Sequence, residues 1–475
     1  MKHVEVDPQP IERLSSLLTP ERAAQFEATA ARARELLKGR KVWNVNATAS
    51  GGGVAEMLQT LHAYWLGAGI DAYWLVLRGV PDFFTLTKRI HNVLHGEPGD
   101  GGHLKKAEHR IYEEVLADNL EGIVHEIRAG DIMLLHDPQT AGLVEGLQQV
   151  GAKVIWRCHI GRDTTNKHTD RGWDFLRPYI QHADAFVFSR REYVPDWVPE
   201  DRLFIIPPAL DPFSAKNQYL EPADVVGILV DAGLVTDGAH RPSTRFTRRD
   251  GRSDVVRHHT GLLADSSAAP KATERLVLQV SRWDRLKDMP GVMKGFVDHL
   301  ADLPPDVHLM LAGPEVSGVS DDPEGALELA ACIAAWRALP EGTRRRVHLA
   351  SLPMDDIDEN AVMVNALQRH AYLVVQKSLF EGFGLTVTEA MWKGRPVVAS
   401  AVGGIMDQIN DGVDGILLRD PTDLDEYAGA LKRLLHDPPL AERMGAAGHA
   451  HARDEFLGDR HLRQYIDLFA ELLAQ

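Results

Sequence analysis

The sequence predicts an α/β protein of two doubly wound domains, and three observations predict it. The chain has 475 residues, more than one ordinary core holds. Short apolar runs alternate with helical patterns through its first half, and the alternation restarts after a break rich in arginine, glycine and serine.

In the first half, "KVWNVNAT", "DAYWLVLRG", "GDIMLLHD", "AKVIWRCHI", "ADAFVFS" and "RLFIIPPA" read as strands of a mostly parallel sheet, separated by stretches long enough for crossover helices. After the first of them, Val54, Met57, Leu58, Leu61 and Trp65 recur at helical spacing, so "GGGVAEMLQTLHAYWLGAG" is a glycine loop entering an amphipathic helix. Gly67 and Gly69 are placed to end that helix. In the second half the strands are "RLVLQVSRWD", "VHLMLAGPE", "RVHLASLP", "AYLVVQKS", "GRPVVAS" and "DGILL".

The expected boundaries follow. Residues 1–265 form the first domain, including an arginine-rich loop at about 236–262, and residues 266–455 form the second. Residues 456–475 form a helix whose stripe of Tyr465, Leu468, Phe469, Leu472 and Leu473 packs back on the first domain. Six arginines lie between Arg241 and Arg257, and a solvated, mobile loop is the expected state of that segment.

Composition excludes several function classes. An apolar fraction of 44% with 25% charged residues is that of a globular protein and not of a disordered one. A net charge of -16 disfavours nonspecific binding to nucleic acid or anionic membranes, so an anionic ligand needs a local basic pocket. Two cysteines, Cys158 and Cys332, are too few for a disulfide framework or a cysteine-based zinc site, which suits a reducing cytoplasm. The N-terminal stretch carries acidic residues and proline where a signal peptide has its apolar core, and no run of about 18 apolar residues follows.

In open parallel sheets, ligands bind beyond the carboxyl ends of the strands. "SRWDRLKD" there places Arg282 and Lys287 five residues apart, and two such cations can neutralise a diphosphate; a pair of exposed surface cations is the bland alternative. In "SLFEGFGLTVTEAMWKG", Gly382 and Gly384 let backbone N–H groups approach an anion, and Thr386 can help cap the helix that follows. Glu389 lies about two turns into that helix if it begins near Leu385, or nearer its start if the helix begins later, and a carboxylate there can accept both hydroxyls of a ribose. Glu381, before the turn, sits nearer the sugar end; both glutamates also suit simple helix-terminus and surface charges.

The glycine run Gly51 to Gly53 lacks the G-x-G-x-x-G spacing and offers only a tight turn with backbone donors. His159 could hydrogen-bond a sugar hydroxyl, although a strand-end histidine is more often structural; His136 and Asp137 end another strand on the same side. The sequence shows no zinc spacing, GxSxG elbow or Walker loop.

Together these motifs resemble the retaining glycosyltransferases of the GT-B fold, two facing Rossmann-like domains with an active-site cleft between them. "SRWDRLKD" followed by "EGFGLTVTE", with two glutamates eight positions apart, is similar to that family's donor-binding signature. "WNVNATASGGGVAEML", "LLHDPQTAGL", "VIWRCHI" and "IIPPALDPFSAKN" resemble trehalose glycosyltransferring synthase and the related retaining trehalose phosphorylases, from about residue 40 onward apart from the basic insertion.

The resemblance implies the following roles. Arg282 and Lys287 hold the donor phosphates, Glu389 the ribose and Glu381 the donor sugar. The turn Gly382, Phe383, Gly384, Leu385 and Thr386 binds sugar or phosphate through its amides. Gly52, Gly53 and Asp137 form the acceptor or phosphate loop, and His159 meets the donor sugar near the reacting carbon. Relatives continue the histidine strand as His-Ile-Asp, whereas here Gly161 takes that aspartate's place and Asp163 follows.

The expected reaction is glucose transfer, with retention, from a nucleoside diphosphate glucose to glucose, giving α,α-trehalose. It needs no cofactor and no metal. The expected partners are these small molecules, with a homodimer compatible and no nucleic acid or membrane. Rival expectations are phosphorolysis of trehalose through glucose 1-phosphate, and a noncatalytic nucleotide-sugar sensor. A dehydrogenase is disfavoured by the missing fingerprint.

Overall fold

The computed structural model describes residues 1–49, 53–236, 244–260, 262–263, 269–316 and 323–474. They fall into two compact units. The first is Met1–Leu210 with Phe456–Gln475, and the second is Asp211–Glu455.

The first unit holds seven strands: β1 (Lys2–Val4), β2 (Val42–Asn46), β3 (Ala72–Val76), β4 (Ile132–His136), β5 (Lys153–Cys158), β6 (Ala185–Phe188) and β7 (Leu203–Ile205). Their order in the sheet is β1-β3-β2-β4-β5-β6-β7, parallel except where β1 pairs with β3. The strand order reverses at β2, so the switch point, where open sheets take ligands, lies between the carboxyl ends of β2 and β4.

Alternate residues of these strands face opposite layers. Trp43, Val45, Met133, Leu135, Val154 and Trp156 join one core cluster with residues of helices Pro81–Leu94, Lys106–Glu121 and Lys167–Ile180. On the other face lie the helices Gly53–Gly67, Pro20–Leu36 and Gly458–Ala474, where the Trp65 ring meets Tyr465 at 5.3 Å and Phe469 at 5.8 Å.

The second unit begins with the antiparallel pair β8 (Arg245–Thr247) and β9 (Ser253–Val255). Its main sheet comprises β10 (Arg275–Val280), β11 (Val307–Pro314), β12 (Val347–Leu352), β13 (Leu373–Gln376), β14 (Val397–Ser400) and β15 (Ile416–Leu418). All are parallel, in the order β12-β11-β10-β13-β14-β15, which puts the switch point between β10 and β13. Both faces are covered: Leu276, Leu278 and Val374 enter one cluster, and Val277, Leu373 and Val375 the other. Sheets buried on both faces read as continuous apolar runs, which is why these strands stand out in the sequence.

Two expectations are corrected. The division falls at Leu210 and not at 265. The reason is packing: Leu220, Val225, Ile228 and Leu229 share a core cluster with Leu276, Leu278 and Val362, and Asn365 Nδ2 donates to the carbonyls of Ala215 and Gln218 at 3.0 and 2.9 Å. The arginine-rich segment is also more than a solvated loop. Its described part includes the β8–β9 hairpin, and Arg248 bridges Asp254 within that hairpin and Asp356 beyond it. Among the described residues no helix is long and apolar enough to cross a membrane.

Candidate active site

In the second unit, the loops leaving the neighbouring strands β10 and β13 are tied together at the switch point, because the N–H of Leu379 donates to the carbonyl of Leu286 at 2.8 Å. Gln279, at the end of β10, donates to the carbonyl of Lys287 at 2.7 Å and holds that loop down. The consequence is a close ion pair: Lys287 Nζ lies 2.5 Å from Glu381 Oε2, which also accepts from Ser378 Oγ at 3.2 Å. Arg282 is exposed on the same loop, 3.6 Å from Asp284.

Beneath the pair, buried Lys377 donates to Asp288. Asp288 adopts a left-handed φ of 47° while capping the helix Met289–Asp298 through Gly291 N–H. Aspartate enters that region more readily than most residues, and the cap and the lysine hold Asp288 there.

The glycine turn then enters helix Leu385–Trp392 with Gly384 at its N-cap, in a left-handed φ of 82° and with no side-chain cap. Thr386 is thus the second helical residue and does not cap the helix, contrary to expectation. Among the described residues nothing accepts the N–H groups of Gly384, Leu385 and Thr386, which are the orphan donors of a helix start. The carbonyls behind them are engaged: Gly404 N–H donates to Gly382 at 3.1 Å, and Gln408 donates to Phe383. Gly404 itself is required, since an added Cβ would stand 2.8 Å from Phe383 Cα.

Glu389 is the fifth residue of this helix, just over one turn in and not two, because the helix does begin at Leu385. It is buried, 3.6 Å from Lys216. Lys393, one turn further, is buried as well and donates to Asn217 Oδ1 at 2.8 Å and to the Glu389 carbonyl at 3.2 Å. Burial holds the Lys393 amine well below the usual lysine range, against the opposing pull of Glu389. Sequence reasoning missed Lys216, Asn217 and Lys393; the first two lie within "IIPPALDPFSAKN", where no spacing ties them to Glu389.

In the first unit, the ends of β2, β4 and β5 gather a second cluster. His136 Nδ1 lies 3.0 Å from His159 Nε2, and His136 Nε2 lies 2.8 Å from Asn44 Oδ1. Asp137 holds a φ of 62° and accepts the backbone N–H of His159 at 2.8 Å, which fixes the histidine at the strand end. Burial pushes the Asp137 carboxyl up to about 7, opposed by that hydrogen bond and by Arg157. Arg157 is itself buried, donates to Tyr465 and to the carbonyl of Ile206, and is lowered to about 9 by burial.

Gly53 is the first residue of its helix, while Gly52 lies outside the described residues. Gly161 has a local cause: a Cβ there would fall 2.0 Å from Tyr193 Cγ, so a side chain at this position has no room. Asp163 instead lies 3.0 Å from Arg190.

Residues 44–195 match the family described as "Trehalose synthase, N-terminal domain", and residues 358–451 match "Glycosyl transferases group 1". The trehalose synthase of Rubrobacter xylanophilus is 37% identical over 447 residues, which covers 92% of each chain. The chain belongs to the trehalose synthase family.

A second member, from Pyrococcus horikoshii, is 33% identical over 464 residues, covering 97% of this chain and 96% of its own. Among solved structures, a trehalose-6-phosphate protein of E. coli bound with UDP-2-fluoro glucose has a TM-score of 0.65 at 13% identity, covering 90% of this chain and 99% of that one. The fold is accordingly GT-B, and this family member is a trehalose-related hexosyltransferase.

Proposed function

We propose that the protein transfers glucose, with retention, from a nucleoside diphosphate glucose to the anomeric hydroxyl of glucose, forming α,α-trehalose. The observation that carries this reading is the second unit's switch point. There the Lys287–Glu381 pair stands beside a helix start whose Gly384, Leu385 and Thr386 amides find no acceptor among the described residues, with Glu389 one turn beyond.

Such a helix start accepts phosphate oxygens through its amides and its dipole. Lys287 has three donors, so it can keep one on Glu381 and give the others to the diphosphate, while Arg282 supplies a second cation. Glu389 takes the ribose hydroxyls, and Glu381 takes a hydroxyl of the glucose.

In the reaction the bond from glucose C1 to the diphosphate oxygen breaks, and a bond from C1 to the acceptor oxygen forms on the same face. The acceptor proton passes to the departing phosphate, so no protein nucleophile is needed. The cations lower the barrier because charge on the diphosphate grows as the bond breaks. Replacing Lys287 by alanine is expected to cost about 3 kcal/mol, roughly a hundredfold in turnover. With the diphosphate neutralised by Arg282 and Lys287, the reaction proceeds without a metal, and a chelator leaves the rate unchanged.

Product analysis tests the reading. Glucose is incubated with UDP-, ADP- or GDP-glucose, or with glucose 1-phosphate. Trehalose from a nucleotide sugar supports it; trehalose from glucose 1-phosphate alone makes the enzyme a phosphorylase. Tight donor binding with no product over a broad acceptor panel would make it a sensor.

A further inference from the structure

Behind His159 lies a line of polar side chains that the proposed chemistry does not use. His159 Nε2 meets His136 Nδ1 at 3.0 Å, His136 Nε2 meets Asn44 Oδ1 at 2.8 Å, and Asn44 Nδ2 meets His62 Nε2 at 3.0 Å. Asn44, His62 and His136 are each at most 1% exposed, whereas His159 keeps part of its surface open. The chain thus runs from the helix Gly53–Gly67, across the central strands β2 and β4, to the end of β5.

A buried row of this kind has few allowed states, since every polar atom in it must find its complement. Burial brings His62 down to about 3 and holds His136 and His159 well below the ordinary imidazole range, with Arg157 adding to the effect on the last two. All three rings are then neutral, and each carries one N–H and one bare nitrogen.

The amide of Asn44 sets the direction. Its oxygen faces His136 Nε2, which must be the protonated nitrogen, so His136 Nδ1 is bare and accepts. His159 Nε2 must therefore carry the proton that it donates to His136. That leaves the other ring nitrogen of His159, Nδ1, as a bare acceptor, and among the described residues nothing donates to it.

We propose that Asn44, His62 and His136 are positioning residues that lock His159 in the Nε2–H tautomer, so that its Nδ1 accepts a hydrogen bond from a sugar hydroxyl. This deepens the glucosyl-transfer reading and rests on it for the identity of the ligand. Two fixings then act on one side chain: Asp137 holds the His159 backbone, and the polar row sets the proton on its ring. A sugar hydroxyl that donates to Nδ1 keeps its own oxygen lone pairs for other donors, which a histidine offering N–H would consume.

The test is the nitrogen NMR spectrum of the full chain labelled with 15N-histidine, with His159 assigned by its loss in His159→Gln. The expected result is a single neutral tautomer at His159, protonated at Nε2 and bare at Nδ1. Protonation at Nδ1, or a mixture of both forms, would overturn the proposal, because it means that the Asn44 amide points the other way or does not matter.

His136→Phe keeps a ring of similar size and removes the relay. It is expected to let His159 populate both tautomers and to lower kcat about tenfold or more, with little change in nucleotide-sugar KM. A fall in kcat with His159 still in one tautomer would show the row to be packing only, and would also overturn the proposal. Should His136→Phe not fold, the wild-type spectrum decides alone. Should the protein make no trehalose, the spectrum still reports the tautomer, so the two readings fail separately.

Discussion

Glu381 and Glu389 stand eight positions apart and meet different cations, Lys287 at 2.5 Å and Lys216 at 3.6 Å. Their substitution should therefore split: Glu389→Ala mainly weakens nucleotide-sugar binding, and Glu381→Ala mainly lowers turnover, by roughly tenfold or more for each effect. Titration of donor affinity against kcat checks this, and the same modest loss in both variants would reduce the pair to a charged helix entrance. Their separate placement was legible in the sequence, because Gly382 and Gly384 set Glu381 apart from the helix that carries Glu389. The lysines that answer the glutamates were legible only at Lys287, since Lys216 lies 173 positions before Glu389 with no local pattern linking them. Asp137 adds a pH dependence. Its folded pKa of about 7 is above the ordinary aspartate value of 3.8, so the native state holds the proton more tightly than the unfolded chain. That contribution to stability is complete below the unfolded value and is lost as pH rises through about 7. Denaturant midpoints from about pH 4 to pH 8 should fall on this account, and Asp137→Asn should flatten that part of the profile.

At the scale of elements, most of the strands that sequence reading found are buried on both faces, such as β4 and β14, whose every residue is buried, while β7 is only half-buried along its length. The ones it missed, β1, β8 and β9, are three residues long and mostly exposed, so they carry no apolar run. The hairpin of β8 and β9 owes its place to charges about a hundred positions later. The N–H groups of Arg257 and His258 both donate to Glu359, and Arg248 reaches Asp356, the N-cap of helix Ile357–His370. The hydrogen bond to Glu359 raises the His258 pKa above 6.5. Its contribution is therefore fully present below 6.5 and is lost as pH rises through the folded value. Hydrogen-exchange protection of those two N–H groups, corrected for intrinsic rate, should fall as pH rises above about 6.5. In Glu359→Gln the pH dependence should vanish; if it persists unchanged, the histidine is not its source.

The whole molecule is divided unevenly along the sequence, because the first unit leaves the chain at Leu210 and resumes at Phe456. Local composition hid this division: the segment that looked like a linker is separated from the true crossing by a helix, Pro222–Asp231, which packs into the second unit. The resumed helix buries Ile466, Leu468, Phe469 and Leu472 almost completely. At about 1.5–3 kcal/mol for each such side chain, their loss exceeds much of the stability of an ordinary domain. A chain stopped after Glu455 should lose the first unit's unfolding transition in calorimetry and keep the second's; retention of both would show the helix to be dispensable. The same interruption bears on biosynthesis. The second unit is a continuous stretch and is complete in the growing polypeptide before Phe456 is added, while the first must wait, partly assembled, for a helix translated some 250 residues after its other strands. Domains usually mature in order from the amino terminus. Here the later-made half can finish first, and the earlier-made half keeps the helix-binding face around Trp65 uncovered until translation has passed through the whole of its neighbour.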